Sequence, residues 1–436
     1  MKRRLLFLLI AALGAGLISC AASNDETVAD HPAAASQAGD PVALDHGASA
    51  GADNNGGGKV CEPVAPPALP EPDIADPSVV TVDEDLFFQV DGQRLFPIGF
   101  YWAPEDLAGL QAYKEEGFNV ALAGDGCCEG DELQAQLDIL DNAQQAGVFI
   151  ILRVWRPMDQ VLTRPEEELA AELAARDVYG SLFGWYTFDE PGMDGTDKTE
   201  TARAHEVLTT NDPDHLDLLV DTPFNDFSMY MDDCSVFGID PYPSDWMPLS
   251  YVKASLLEAL DAANGEKPVI GVLQGFSWDA YNGIDYDEYR PNERELRNMA
   301  WQYIVLGARG LLPWNYSADY AIRAQPEIWA DFLETVGEIN ELAGVILTKD
   351  VTLDLAPEAD FPTMFDYAVK QEDTASWILT VSTNERPMKV GLDLSALGTG
   401  LCIVDYTTGE VFVQDENGRI EVNYDSLQAR VLEVLE

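Results

Sequence analysis

Basic residues and histidine are scarce in this chain of 436 residues: 25 Lys and Arg and four His stand against 77 Asp and Glu, a net charge of −52. That imbalance excludes nucleic acid and anionic membrane surfaces as partners, because both would repel the chain. The acid is spread along the sequence, which describes a solvated acidic surface whose self-repulsion is screened by salt. His31 and His46 sit near the N-terminus, so a histidine-based zinc site is not expected. No D-x-D-x-D-G loop with a distal Glu occurs, which removes the usual calcium loop. C-x-x-C pairs are absent. The first strand-like stretch is not followed by a Gly-rich phosphate turn, which argues against a doubly wound nucleotide-binding sheet. No cofactor is expected. What remains is 47% apolar, enough to bury the core of a large barrel and a smaller module.

The N-terminus reads as an export signal. Lys2, Arg3 and Arg4 precede an apolar run over residues 5–17, too short to span a bilayer comfortably. The run ends Leu17-Ile18-Ser19-Cys20. This resembles the lipobox of bacterial lipoproteins, and the resemblance implies a signal over residues 1–20 with Cys20 lipidated as the mature N-terminus. An ordinary cleaved signal with an incidental cysteine is the alternative. Ala21 and Ala22 follow with no early Asp, which points to the outer membrane or cell surface. Residues 21–77 are rich in Ala, Gly, Asp, Asn and Pro and read as a flexible tether. Setting Cys20 aside leaves Cys61, Cys127, Cys128, Cys234 and Cys402, so at least one thiol is unpaired. One candidate bridge joins Cys61 to Cys127 or Cys128, although spacing does not fix connectivity.

Order begins near Val79. Strand-like stretches at residues 79–82 and 86–90 lead through Asp91-Gly92 to a third at 96–102. Further strands are expected at 118–123, 148–154, 182–188, 216–220, 235–239, 268–273 and 310–314. Helical stretches lie between them; over 131–146, for example, Leu133, Leu137, Leu140 and Ala143 share one face. Eight strands, each followed by a helix or a helix-length connection, fit within about 250 residues, the size of a (β/α)8 TIM barrel. We place it over residues 78–347. From 348 to 436 short strands with frequent turn signals describe a small antiparallel β-sandwich domain, with a hairpin expected at Asn417-Gly418.

In such a barrel the C-terminal ends of the strands share one pocket. The first offers Tyr101 and Trp102, the third Arg153, Trp155 and Arg156. The fourth, Leu182 to Phe188, is apolar and aromatic, ends in Asp189 and Glu190, and is stopped by Pro191, which cannot donate to a ladder. The fifth ends in Asp221, the sixth in Asp240 and Tyr242, the seventh in Gln274 followed by Phe276, Trp278, Tyr281, Tyr286 and Tyr289. The eighth offers Trp314, Asn315 and Tyr316. Carboxylates ringed by aromatics suit sugars, whose C–H faces stack on rings and whose hydroxyls bind carboxylates, amides and arginine. Cleaving a glycosidic bond needs one protonated and one ionised carboxyl. Asp189 and burial would raise the pKa of Glu190 and suit it to donate a proton. Each group also has a plainer reading: rings as barrel packing, Asp221 and Asp240 as turn caps, Asp189 and Glu190 as a helix cap.

The barrel resembles the clan A glycoside hydrolases. The stretches that carry the likeness are Phe96-Pro97-Ile98-Gly99-Phe100-Tyr101-Trp102, Trp185-Tyr186-Thr187-Phe188-Asp189-Glu190-Pro191 and Val272-Leu273-Gln274-Gly275-Phe276. The resemblance implies that Glu190 is the general acid. It also places Asp189 where that family usually has Asn, and Gln274 where it usually has the nucleophilic Glu. Asp240 is therefore the first candidate for the second carboxylate, with Asp189 and Asp221 behind it; two strands from Glu190, its backbone is expected roughly 10 Å away. The expected activity is hydrolysis of an extracellular poly- or oligosaccharide, with Tyr101, Trp102, Arg153, Trp155, Asp221, Tyr242, Gln274, Trp278, Trp314 and Asn315 binding substrate. The alternative is a surface lipoprotein that binds glycan on a degenerate barrel without cleaving it.

Overall fold

The computed structural model describes residues 61, 65–74, 77–124, 132–153, 160–284, 288–372 and 375–435. The leader with Cys20, and Cys127, Cys128, Trp155, Arg156 and Tyr286, lie outside the described residues.

Three short strands, β1 (Val80–Val82), β2 (Phe88–Val90) and β3 (Gln93–Leu95), form an antiparallel sheet. Next come β4 (Gly99–Tyr101), β5 (Val120–Ala123), β6 (Phe149–Arg153), β7 (Leu182–Asp189), β8 (Leu216–Asp221), β9 (Val236–Ile239) and β10 (Val269–Gly271). These seven pair in parallel, in chain order. Residues 310–314 bond to both outer strands: Gly99 and Tyr101 donate to Leu311 and Pro313 carbonyls, and Leu312 and Trp314 donate to those of Gly271 and Leu273. The curled parallel sheet, with helices in its connections, has the layout of a (β/α) barrel.

Both faces of these strands are apolar, as expected for parallel strands covered on both sides. Tyr101, Leu122, Ile151, Tyr186, Val220, Ile270 and Leu312 pack together in one cluster, while their neighbours Phe100, Ala121, Leu152, Trp185, Leu219 and Leu311 pack with the helices in another. Val80, Phe88, Val90 and Leu95 join the first cluster, and Phe88 meets Phe183 at 5.5 Å between ring centroids. The β1–β3 sheet thus packs at the end where β7 begins. Gly99 is required where β4 meets β5, since a Cβ there would stand 1.6 Å from the Val120 carbonyl oxygen.

The C-terminal part holds β11 (Glu358–Ala359), β12 (Phe365–Glu372), β13 (Ala375–Ser382), β14 (Met388–Asp393), β15 (Cys402–Asp405), β16 (Val411–Val413), β17 (Arg419–Tyr424) and β18 (Ala429–Leu435). They form two antiparallel sheets, β11-β14-β17 and β12-β13-β18-β15-β16, around a shared core that includes Phe365, Ile378, Val390, Leu392, Ile403 and Leu432. Asn417-Gly418 does turn the chain, with Asp415 accepting from Asn417 and Arg419. The turn does not make the expected hairpin, because β16 pairs with β15 and β17 with β14; it carries the chain from one sheet to the other.

Trp377, Leu379, Val381, Ala429 and Val431 of the larger sheet share one apolar cluster with the helices Glu293–Leu306 and Pro326–Glu341. Within it Asn298 is fully buried and donates to the carbonyls of Ser382 and Leu427, each at 2.9 Å. Asn298→Ala leaves both carbonyls without that donor and is expected to cost about 3 kcal/mol in denaturant unfolding.

The disulfide corrects an expectation. Cys61 pairs with Cys402, at 5.9 Å between Cα atoms and 341 residues apart in sequence. Docking of the C-terminal sheets, which spacing does not encode, brings these two together. Cys234 is a free, buried thiol.

Candidate functional site

The site is built on the end of β7. Its ladder with β8 slips there: Tyr186 stands opposite Leu218, but Asp189 stands opposite Val220, three steps against two. A bulge of this kind re-aims the residues beyond it. Tyr186 packs in the cluster among the strands and Phe188 in the one shared with the helices, although residues two apart would face the same side under strict alternation, so the alternation breaks between them. Glu190 then takes a left-handed conformation, φ 45° and ψ 49°, and its N–H donates to the Val220 carbonyl at 2.8 Å. Pro191 opens the short helix Pro191–Asp194. Two further left-handed non-glycine residues, Trp102 (φ 52°) and Asp245 (φ 79°), lie beyond β4 and β9. Backbone strain of this sort collects where a site holds side chains in fixed directions.

The structure brings together the acids expected to meet. Glu190 is pushed up to about 7, first by burial and then by the negative charge of Asp189. Asp240 is also raised, by burial and by Glu190, whose carboxyl lies within hydrogen-bonding reach of its own. Asp240 Oδ1 is buried and receives no hydrogen bond. Asp221 is fully buried and raised to about 6 by burial, against hydrogen bonds from Thr222 N and Asn225 Nδ2 at 2.9 and 2.7 Å. Gly192 leaves room for that amide, since a Cβ on it would lie 2.3 Å from Asn225 Nδ2.

One charge is felt throughout. Asp189 raises Glu190, Asp221, Asp240, Tyr101, Tyr186 and Tyr242. Tyr101 Oη lies 3.3 Å from Tyr186 Oη, and Tyr186 is hydrogen-bonded to Asp189. The Arg153 guanidinium lies over the Tyr186 ring, 4.8 Å from its centroid. Tyr186 thus links Asp189 to a second buried hydroxyl and to the Arg153 cation.

The rings and amides divide. Trp102 and Trp314 pack at 4.9 Å, and Trp314 meets Tyr101 at 5.4 Å. Trp278 donates its indole N–H to the Tyr242 carbonyl at 3.1 Å. Gln274 and Asn315 are fully buried and engaged by the chain itself. Gln274 accepts from Ser244 N at 2.8 Å and donates to the Phe276 carbonyl at 3.0 Å. Asn315 accepts from Ala318 N and donates to Tyr320 Oη. Both hold loops at the mouth. Tyr186 and Asp194 were not among the expected site residues. Asp194 is felt by Glu190 and lies one helical turn beyond it, a spacing that is visible in the sequence. Among the described residues no group of three or more His, Cys, Asp or Glu is placed to hold a metal ion.

Solved glycoside hydrolases share this fold. An α-amylase from Geobacillus thermoleovorans, solved with acarbose, matches at TM-score 0.54 and 12% identity, over 82% of this chain and 99% of its own. A structure described as a glycoside hydrolase matches at 0.53 and 14%, over 82% and 97%. A family 5 glycoside hydrolase from Bacteroides vulgatus matches at 0.52 and 17%, over 82% and 93%. At such identities the likeness is one of fold. No protein-family model matches the chain, and no curated protein does.

Proposed function

We propose that this chain is a glycoside hydrolase acting on an extracellular poly- or oligosaccharide, with Glu190 as its general acid. The observation that carries the reading is the state of Glu190 at the end of the fourth strand: burial and the Asp189 anion hold its proton up to about pH 7, as a general acid at neutral pH requires. Glu190 gives its proton to the glycosidic oxygen as the bond to the leaving sugar breaks. Asp189, whose negative charge raises Glu190, Asp221 and Asp240, is cast as the ionised partner that stabilises the positive charge developing on the sugar ring. Asp240, the candidate second carboxylate, stands within hydrogen-bonding reach of Glu190 and is raised by burial and by that neighbour. Tyr101, Tyr242, Arg153, Trp102, Trp278 and Trp314 line the sugar site.

The test is release of sugar from a panel of soluble glycans by the wild type and by Glu190→Gln. A second reading, glycan binding without cleavage, draws support from Gln274, whose amide is used up internally where the clan A resemblance expects the nucleophile.

The lipobox-like Leu17-Ile18-Ser19-Cys20 supports a lipid anchor that holds the enzyme at the cell envelope. Labelling cells with a radioactive fatty acid is expected to mark the wild-type protein and not Cys20→Ala; no label on the wild type removes the anchor, and label on both removes Cys20 as its site.

A further inference from the structure

The loops that leave β8 and β9 carry two rings that the reaction centre does not use. Phe224, three residues beyond Asp221, is 56% exposed, and Trp246, six residues beyond Asp240, is 44% exposed. Their ring centroids are 6.0 Å apart and their planes differ by 35°, so they spread as a shallow surface instead of closing edge to face. Neither loop hangs free. The Trp246 indole N–H donates to the Tyr242 carbonyl at 2.5 Å, the same oxygen that receives the Trp278 indole. Trp246 N also donates to the Pro243 carbonyl at 3.2 Å. On the other loop, Asn225, next to Phe224, is fastened to Asp221. Large apolar rings held rigid in solvent are a pre-organised contact surface.

We propose that Phe224 and Trp246 form a sugar-binding platform for a unit of the glycan away from the bond being broken, so that the substrate is a chain of several sugars. The proposal rests on the reading of the mouth as a glycosidase site. Two rings offer far less than the about 1,000 Å² that a stable protein interface needs. Asp226 and Asp245, both exposed, border the rings on a chain of net charge −52, which repels a second copy. A neutral sugar ring meets neither obstacle: its C–H face covers an aromatic ring, and its hydroxyls stay in water beside the acids.

The experiment uses the Glu190→Gln protein, which holds glycan without consuming it. Its binding to xylan, mixed-linkage β-glucan, glucomannan and their disaccharides and hexasaccharides is measured with and without Trp246→Ala. The hexasaccharide is expected to bind more tightly than the disaccharide, and Trp246→Ala to weaken hexasaccharide binding roughly ten-fold, with Trp246→Tyr restoring most of it. Equal hexasaccharide affinity with and without Trp246→Ala overturns the platform while leaving the glycosidase reading in place. If Glu190→Gln binds none of these glycans, the platform and the sugar reading of the mouth fall together.

Discussion

Glu190→Gln is expected to lower glycan turnover about a thousand-fold while glycan binding survives. The amide keeps the shape of the carboxyl and loses the proton that the leaving oxygen takes. It can still hydrogen-bond to the Asp240 carboxyl, so the mouth keeps its arrangement. The same substitution has a signature in stability. The folded-state pKa of Glu190 lies above its usual value. Its protonated form therefore supports the fold below about pH 4.5, and that support is lost as the pH rises through about 7. Gln cannot ionise. Glu190→Gln is thus expected to be at least as resistant to denaturant as the wild type at pH 8. A variant that is inactive because it has unfolded would show the opposite.

Asp189→Asn is expected to move the pH profile as well as the rate. Wild-type turnover needs protonated Glu190, so it should fall as the pH rises through about 7. The negative charge of Asp189 is the second largest cause that holds that value up, after burial. Its removal lets Glu190 ionise earlier, and the alkaline limb is expected to shift down by about one unit. Turnover at its optimum should fall roughly a hundred-fold, because the charge that faces the developing cation is gone. A profile that keeps its alkaline limb while the rate falls would leave Asp189 a structural part only. An alkaline limb shifted upward would contradict the electrostatics of the mouth.

Much of the fold could be read from local pattern. Apolar runs of strand length alternating with one-faced helices placed the parallel strands, and Pro191 fixed where β7 stops. Short strands past residue 348 placed the two C-terminal sheets. What could not be read depends on contacts across the chain. The slip between β7 and β8 that carries Asp189 round is a property of two strands in register, and neither strand shows it alone. The Cys61–Cys402 bridge follows from how the C-terminal sheets dock. Asn417-Gly418 has a hairpin's residues, but a turn sequence does not say in which sheet its flanking strands will pair. Asp240 was placed at the right strand end, two strands from Glu190. Its contact with Glu190 was not legible, because it depends on how far two side chains reach toward each other. Gln274 and Asn315 sit at strand ends where ligands bind, and their amides were spent on neighbouring loops by contacts that the sequence does not display.

The central claim is that the carboxyls at the end of β7 cut glycosidic bonds. It is tested most directly by following sugar release over time from a broad panel of soluble glycans, with the anomer of the product read by NMR, for the wild type and Glu190→Gln side by side. The account predicts release from at least one glycan by the wild type, and loss of that release in Glu190→Gln with binding kept. A wild type that binds a glycan of the panel and releases nothing, or a Glu190→Gln protein as active as the wild type, would contradict it.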